Sequence, residues 1–274
     1  MFSERLENLR KNTPLVHNIT NYVTVNDCAN ILLACGASPI MADDSEEVED
    51  ITSICSALNI NIGTLNKNTI PSMFLAGKKA NELHHPIILD PVGAGASKLR
   101  TETAQKLIDE IKFTVIRGNI SEIKTLARGN GTTKGVDADV ADKVTEENLD
   151  SVIKFTKEFA KKTGAIIAIT GVIDIVADDK KAYVLRNGNT MMGKITGSGC
   201  MLTAMTAAYI AANQDNSLEA VAASICAMGV CGERAFDKIQ KKHGGNSTYR
   251  NYIIDEIYNL DGKTLEECAR YEIR

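Results

Sequence analysis

What most constrains this chain is an alternation. Short β-rich runs, SPIMA at 38–42, LNINIGT at 58–64, PIILDP at 86–91, FTVIRGN at 113–119 and AIIAIT at 165–170, alternate with longer stretches of helical periodicity at 46–58, 74–85, 101–111 and 146–162. PIILD and AIIAIT are unbroken apolar runs, the pattern of strands covered on both faces of a parallel sheet. The β-α-β rhythm predicts a doubly wound α/β layer fold. After Thr170 the rhythm changes: IDIVA at 173–177 and AYVLRNG at 182–188 flank a polar DDKK turn and read as an antiparallel hairpin at one end of the sheet. Helical segments follow at 200–213, 217–240 and 248–258. No linker, low-complexity tract or repeat interrupts residues 1–274, which predicts a single domain.

Composition removes several classes of function. A net charge of -4 with no basic run argues against nucleic acid, and the absence of tryptophan with only 5% aromatics offers no stacking platform. No apolar stretch is long enough for a membrane span, and MFSERLENLRKN is not a secretory signal, so a cytoplasmic protein is expected. Seven cysteines, an odd number with no C-x-x-C pair, suggest neither a disulfide framework nor a zinc site.

In an open parallel sheet, ligands bind beyond the carboxyl ends of the strands. Met41-Ala42-Asp43, Gly63-Thr64, Asp90-Pro91-Val92-Gly93-Ala94-Gly95, Arg117-Gly118-Asn119 with Glu122, and Thr170-Gly171 all fall at such ends. GAGASK at 93–98 is neither a dinucleotide fingerprint nor a P-loop, and a plain turn is the better explanation of it. Asp90, at the tip of an apolar strand, suits either Mg²⁺ or a turn. RGNISE offers a guanidinium for phosphate and oxygen groups in Asn119 and Glu122, or simply a capped helix behind a surface arginine. Thr170 could meet phosphate or only form a turn. The sharpest feature is TGSGC at 196–200, a glycine-rich turn opening a helix whose first position is read as Cys200. Gly197, Ser198 and Gly199 there make an anion cradle that stabilises charge on a transferring phosphoryl group. Nothing places His17 beside a nucleophile, and His84-His85 suits a helix C-terminus.

These motifs in order, PLVHNITNYVT at 14–24, GASPIMA at 36–42, NIGTL at 61–65, ILDPVGAGAS at 88–97, IRGNISEI at 116–123, KGVDA at 134–138, IAITGVID at 167–174 and TGSGC, resemble the hydroxyethylthiazole kinase family of the ribokinase-like superfamily, through nearly the whole chain. The resemblance implies a three-layer α/β/α fold and transfer of the ATP γ-phosphate, with Mg²⁺, to the primary hydroxyl of 4-methyl-5-(2-hydroxyethyl)thiazole in thiamine biosynthesis. It implies that Met41 and Gly197 contact the thiazole, that Arg117 and Thr170 contact ATP phosphates, and that Asp90 and Glu122 organise Mg²⁺. It further implies a homotrimer with sites between subunits, in which Asn21 and Met41 act on a neighbour's substrate. Two departures are HGGNSTYRNY, where the family often has G-P-G-[ST]-F, and Ser198, where alanine or threonine is commoner.

Related sugar and pyrimidine kinases carry an aspartate where this chain has Cys200. A helix N-terminus should lower the thiol's pKa, giving some thiolate, and a loose transition state asks little of a base. Cys200 is therefore expected to be a weak or dispensable base. The alternatives are a hydroxymethylpyrimidine kinase or a hydrate dehydratase, which would show Asp at position 200; a non-catalytic nucleotide-binding module, against which Asp90, Arg117, Glu122 and the intact turn speak; and a cysteine hydrolase, for which no histidine partner is evident.

Overall fold

A computed structural model describes residues 1–129 and 143–274; the KGVDA motif lies outside the described residues. The first half alternates strand and helix: α1 (Phe2–Asn12), β1 (Leu15–Ile19), α2 (Val25–Cys35), β2 (Ser38–Met41), α3 (Val48–Ile54), β3 (Ala57–Asn61), α4 (Thr69–Glu82), β4 (Ile87–Asp90), α5 (Lys98–Glu110), β5 (Val115–Gly118) and α6 (Ile120–Arg128). There follow α7 (Leu149–Thr163), β6 (Ile166–Ile169), β7 (Asp174–Ala177) and β8 (Ala182–Leu185). The remainder is α8 (Ser198–Ala212), α9 (Ser217–Lys242), α10 (Asn246–Asn259), α11 (Gly262–Cys268) and β9 (Tyr271–Ile273).

Among the described residues the strands form one nine-stranded sheet in the order β2-β1-β3-β4-β5-β6-β7-β8-β9. The pairs from β2 to β6 are parallel and those from β6 to β9 antiparallel, so the expected hairpin is present. It does not end the sheet: β9, too short to announce itself, pairs with β8 as the outer strand. The other strand the sequence reading passed over is β1, whose LVHNI carries two polar residues yet is buried from Val16 to Ile19. Its His17 answers both ring nitrogens internally, with Thr52 Oγ1 and the Ala42 carbonyl each at 2.9 Å.

Strand residues alternate between two cores. On β4, Ile88 faces the core built with α1, α2, α8, α9 and α10, while Ile87 and Leu89 face the one built with α4 to α7. Each fully buried aliphatic side chain of this size contributes about 1.5–3 kcal/mol. Helix α8 is buried continuously from Met201 to Ile210, and its small apolar residues let it lie against β1, β3 and β4. Among the described residues no helix is long and apolar enough to cross a membrane.

Candidate active site

The alternation that builds the cores also aims the site. Asp90 lies two residues beyond Ile88, Arg117 two beyond Val115 and Thr170 two beyond Ala168, all on the α8 side. Their side chains therefore gather under the N-terminus of α8. Arg117 Nη2 donates to Thr170 Oγ1 at 2.5 Å, and its Nη1 lies 3.7 Å from Asp90 Oδ2. That oxygen also accepts from Thr203 Oγ1 at 2.8 Å and Asn61 Nδ2 at 2.9 Å.

Asp90 is buried to 1% exposure, and among the described residues neither its Oδ1 nor the buried Arg117 Nε has a partner. Burial pushes the Asp90 carboxyl up to about 6; Arg117 draws it down and Glu122 adds to the rise. An unpaired buried carboxylate oxygen costs on the order of 1–3 kcal/mol or more, so Oδ1 suits a cation or a donor.

Glu122 joins two turns. It forms a capping box with Asn119, Oε2 accepting the Asn119 N–H at 2.8 Å and Asn119 Oδ1 accepting the Glu122 N–H at 2.9 Å. Its Oε1 accepts the Gly93 N–H at 2.8 Å, binding the DPVGAG turn to the RGN turn. The cap read from the sequence is real, and the arginine before it is not a surface residue, its side chain being only 12% exposed.

The turn at 196–200 needs its first glycine. Gly197 has φ 88°, and a Cβ there would lie 2.5 Å from the Thr24 methyl. A Cβ on Gly199 would lie 2.6 Å from Arg117 Nη1. Helix α8 starts at Ser198, so Cys200 is its third residue and not, as expected, its first. The first N–H groups of a helix have no partner within it, so Ser198, Gly199 and Cys200 present theirs at the positive end of the dipole.

The expectation of a lowered thiol pKa fails. Burial and the Asp90 carboxylate hold Cys200 above its ordinary value, against the pull of Thr24, Asn61 and Asn21. Among the described residues no histidine bonds to its sulfur; Asn21 Nδ2 donates to it at 3.2 Å. The Asn21 side chain is otherwise committed to Asn61 and Thr24 of its own chain.

Beside the turn opens a cleft of about 720 Å³. Arg117, Thr170, Ser198 and Gly199 line its polar side; Leu202 and Met228 contribute to its apolar one. Asp174 also lines it and accepts the Gly171 N–H at 2.8 Å. Met41, half-buried at the end of the outer strand β2, stands apart from the bonded network. The sequence reading missed Asn61, Thr203 and Asp174. The alternating asparagines of LNIN were the available signal for the first, since Asn59 and Asn61 share one face with Ala57.

The fold is one shared with a ribokinase-like superfamily protein from Enterococcus faecalis, which superposes with a TM-score of 0.60 at 12% identity, over 92% of this chain and 89% of that one. The hydroxyethylthiazole kinase family model matches residues 6–263, and the chain belongs to that family. A hydroxyethylthiazole kinase of Clostridium acetobutylicum is 71% identical over 272 residues, 99% of each chain. The structure of the hydroxyethylthiazole kinase protein from Pyrococcus horikoshii OT3 has a TM-score of 0.88 at 33% identity, covering 100% of this chain and 98% of that one.

Proposed function

We propose that the protein transfers the γ-phosphoryl group of ATP to the primary hydroxyl of 4-methyl-5-(2-hydroxyethyl)thiazole, a step of thiamine biosynthesis. The observation that carries this reading, beyond family membership, is the position of the 197–200 turn. Ser198 and Gly199 face the nucleotide-sized cleft, while Cys200 turns to Asn21 beyond it. A phosphoryl group leaving a nucleotide in the cleft would pass over the free N–H groups of the turn, where developing negative charge is stabilised without reorganisation.

Each residue then has a defined task. Arg117 and Thr170 hold the phosphates, the guanidinium being kept in place by the lack of a Cβ on Gly199. Gly197 and Cys200 border the alcohol. Asp90 and Glu122 fit Mg²⁺, which takes one or two carboxylates from a protein and completes its shell with phosphate and water. Asp90 Oδ1, unpaired among the described residues, supports that assignment. When bound, Mg²⁺ supplies charge neutralisation on the phosphate oxygens.

Active sites between subunits of a homotrimer complete the proposal. In support, Met41 ends an outer strand, and Tyr22, Val23 and Leu33 are 76%, 57% and 57% exposed in the loop and helix beside it. The internal bonds of Asn21 favour a role on its own chain's Cys200. The deciding assay compares ATP consumption with the thiazole alcohol, hydroxymethylpyrimidine and pyridoxal. Turnover dependent on the thiazole alcohol is expected, and turnover confined to either other alcohol overturns the reading.

A further inference from the structure

Asn61, the last residue of β3, is 1% exposed and has both ends of its amide in use. Its Oδ1 accepts the Gly63 N–H at 2.9 Å and an Asn21 Nδ2 hydrogen at 3.0 Å. Its Nδ2 donates to Asp90 Oδ2 at 2.9 Å. The orientation is forced: turned over, the amide would aim a carbonyl at a carboxylate and an NH₂ at a backbone N–H.

Asn21 continues the chain. Its Oδ1 is held by the Thr24 N–H at 3.1 Å and hydroxyl at 3.0 Å, which leaves Nδ2 to reach Asn61 and, at 3.2 Å, Cys200 Sγ. On the other side, Asn61 and Thr203 both occupy Asp90 Oδ2, and among the described residues Oδ1 has no partner. The backbone makes room for the pair, because a Cβ on Gly63 would stand 2.9 Å from Asn61 Oδ1 and 3.0 Å from Asn21 Cβ.

We propose that Asn61 is a positioning residue for phosphoryl transfer: one buried amide fixes the Asp90 carboxylate directly and the Cys200 side chain through Asn21. The phosphate side and the alcohol side of the site are thereby held in one register. The inference rests on the kinase reading above. Asn61 lies off the cleft lined by Arg117, Thr170, Ser198 and Gly199, so its loss should leave nucleotide binding largely intact while misaligning the groups around the transfer. A displacement of 1 Å can cost about 100-fold in such a step.

The test is kinetic and structural. Asn61→Ala is expected to lower kcat roughly 10- to 100-fold with the KM for ATP changed by less than about threefold. Asn21→Ala, which cuts the Cys200 branch but leaves the Asn61–Asp90 bond, is expected to lower kcat by less. The double variant should fall no further than Asn61→Ala alone, because both act in one network. A crystal structure of Asn61→Ala should show Asp90 or Cys200 in a changed rotamer; Asn61→Ser serves the same measurements if the alanine variant does not fold. Unchanged kcat, independent and multiplicative losses, or both side chains in place in the variant structure would each overturn the proposal. If wild-type protein shows no thiazole-dependent turnover, the functional reading fails, while the variant structure still decides whether Asn61 sets the two side chains.

Discussion

At Cys200 two tendencies compete. A place in the first turn of a helix favours thiolate, whereas burial and the neighbouring Asp90 favour the thiol, and these prevail. A thiol in that state is a poor base, consistent with a loose transition state in which the nucleophile bonds late. Cys200→Asp places a carboxylate where the Asn21 and Asn61 amides can donate to it. The expected outcome is a kcat retained or increased, and a fall of more than about 100-fold would show the thiol to be the needed base. Asp174 makes a second argument at this scale. Burial lifts its carboxyl to about 7 from an ordinary 3.8, against the pull of the Gly171 N–H and Arg117. The folded protein thus binds this proton more tightly than the unfolded chain does. Stability is therefore full below the unfolded value, declines as pH rises from about 4, and levels off above about 7, by then lower by on the order of 4 kcal/mol. Asp174→Asn keeps an acceptor for the Gly171 N–H and sheds the titration. Its melting temperature should exceed the wild type's at pH 8 by at least roughly 5 °C, with a gap that shrinks toward pH 4. A gap independent of pH would show that Asp174 does not titrate in this range.

Among the secondary-structure elements, legibility followed the source of each element's stability. β4 and β6 could be read because burial on both faces demands an unbroken apolar run. β1 could not, because His17 and Asn18 are hydrogen-bonded inside the fold, which a hydropathy pattern does not register. The same blindness hid Asn61 and Thr203, whose shared partner, Asp90 on β4, is far off in sequence from both. Asp90, Arg117, Glu122 and the TGSGC turn were visible because glycines and charges at strand ends are rare enough to stand out. β9 was missed since three residues have no period. It is held by tertiary contacts: the Tyr271 and Phe2 ring centroids are 4.5 Å apart, and Arg270 Nη2 meets Glu233 Oε1 at 2.5 Å. Removing residues 270–274 would leave β8 as an open edge. Such a truncation should lower the melting temperature and promote aggregation, while soluble protein keeps a KM for ATP within about threefold of wild type. A truncated chain as stable and monodisperse as the intact one would show that β9 contributes nothing to the fold.

For the whole molecule, one question governs the rest: whether a single chain makes a complete site. The network around Asp90 closes within one chain, but Met41 ends the outer strand β2, whose far side pairs with no other described strand. Exposed apolar groups include Leu33, at 57% on α2, which packs against β2, and Ile54, at 64% at the end of α3. Single exposed apolar residues need no explanation in a monomer, and replacing them there changes stability by about 0.5 kcal/mol at most. In an assembly that buries them, two new carboxylates are costly because they must be desolvated without partners. The double variant Leu33→Glu, Ile54→Glu separates the cases. If three copies share the sites, sedimentation should show wild-type trimers and variant monomers. The variant's circular dichroism should be unchanged, its KM for the thiazole alcohol raised at least about tenfold, and its KM for ATP much less affected, since the cleft lies within one chain. Activity of the variant should also rise with protein concentration as association is restored by mass action. A wild-type monomer with full activity, or a variant monomer that binds the alcohol as well as wild type, would show that the site is complete in one chain and that Met41 takes no part in a neighbour's.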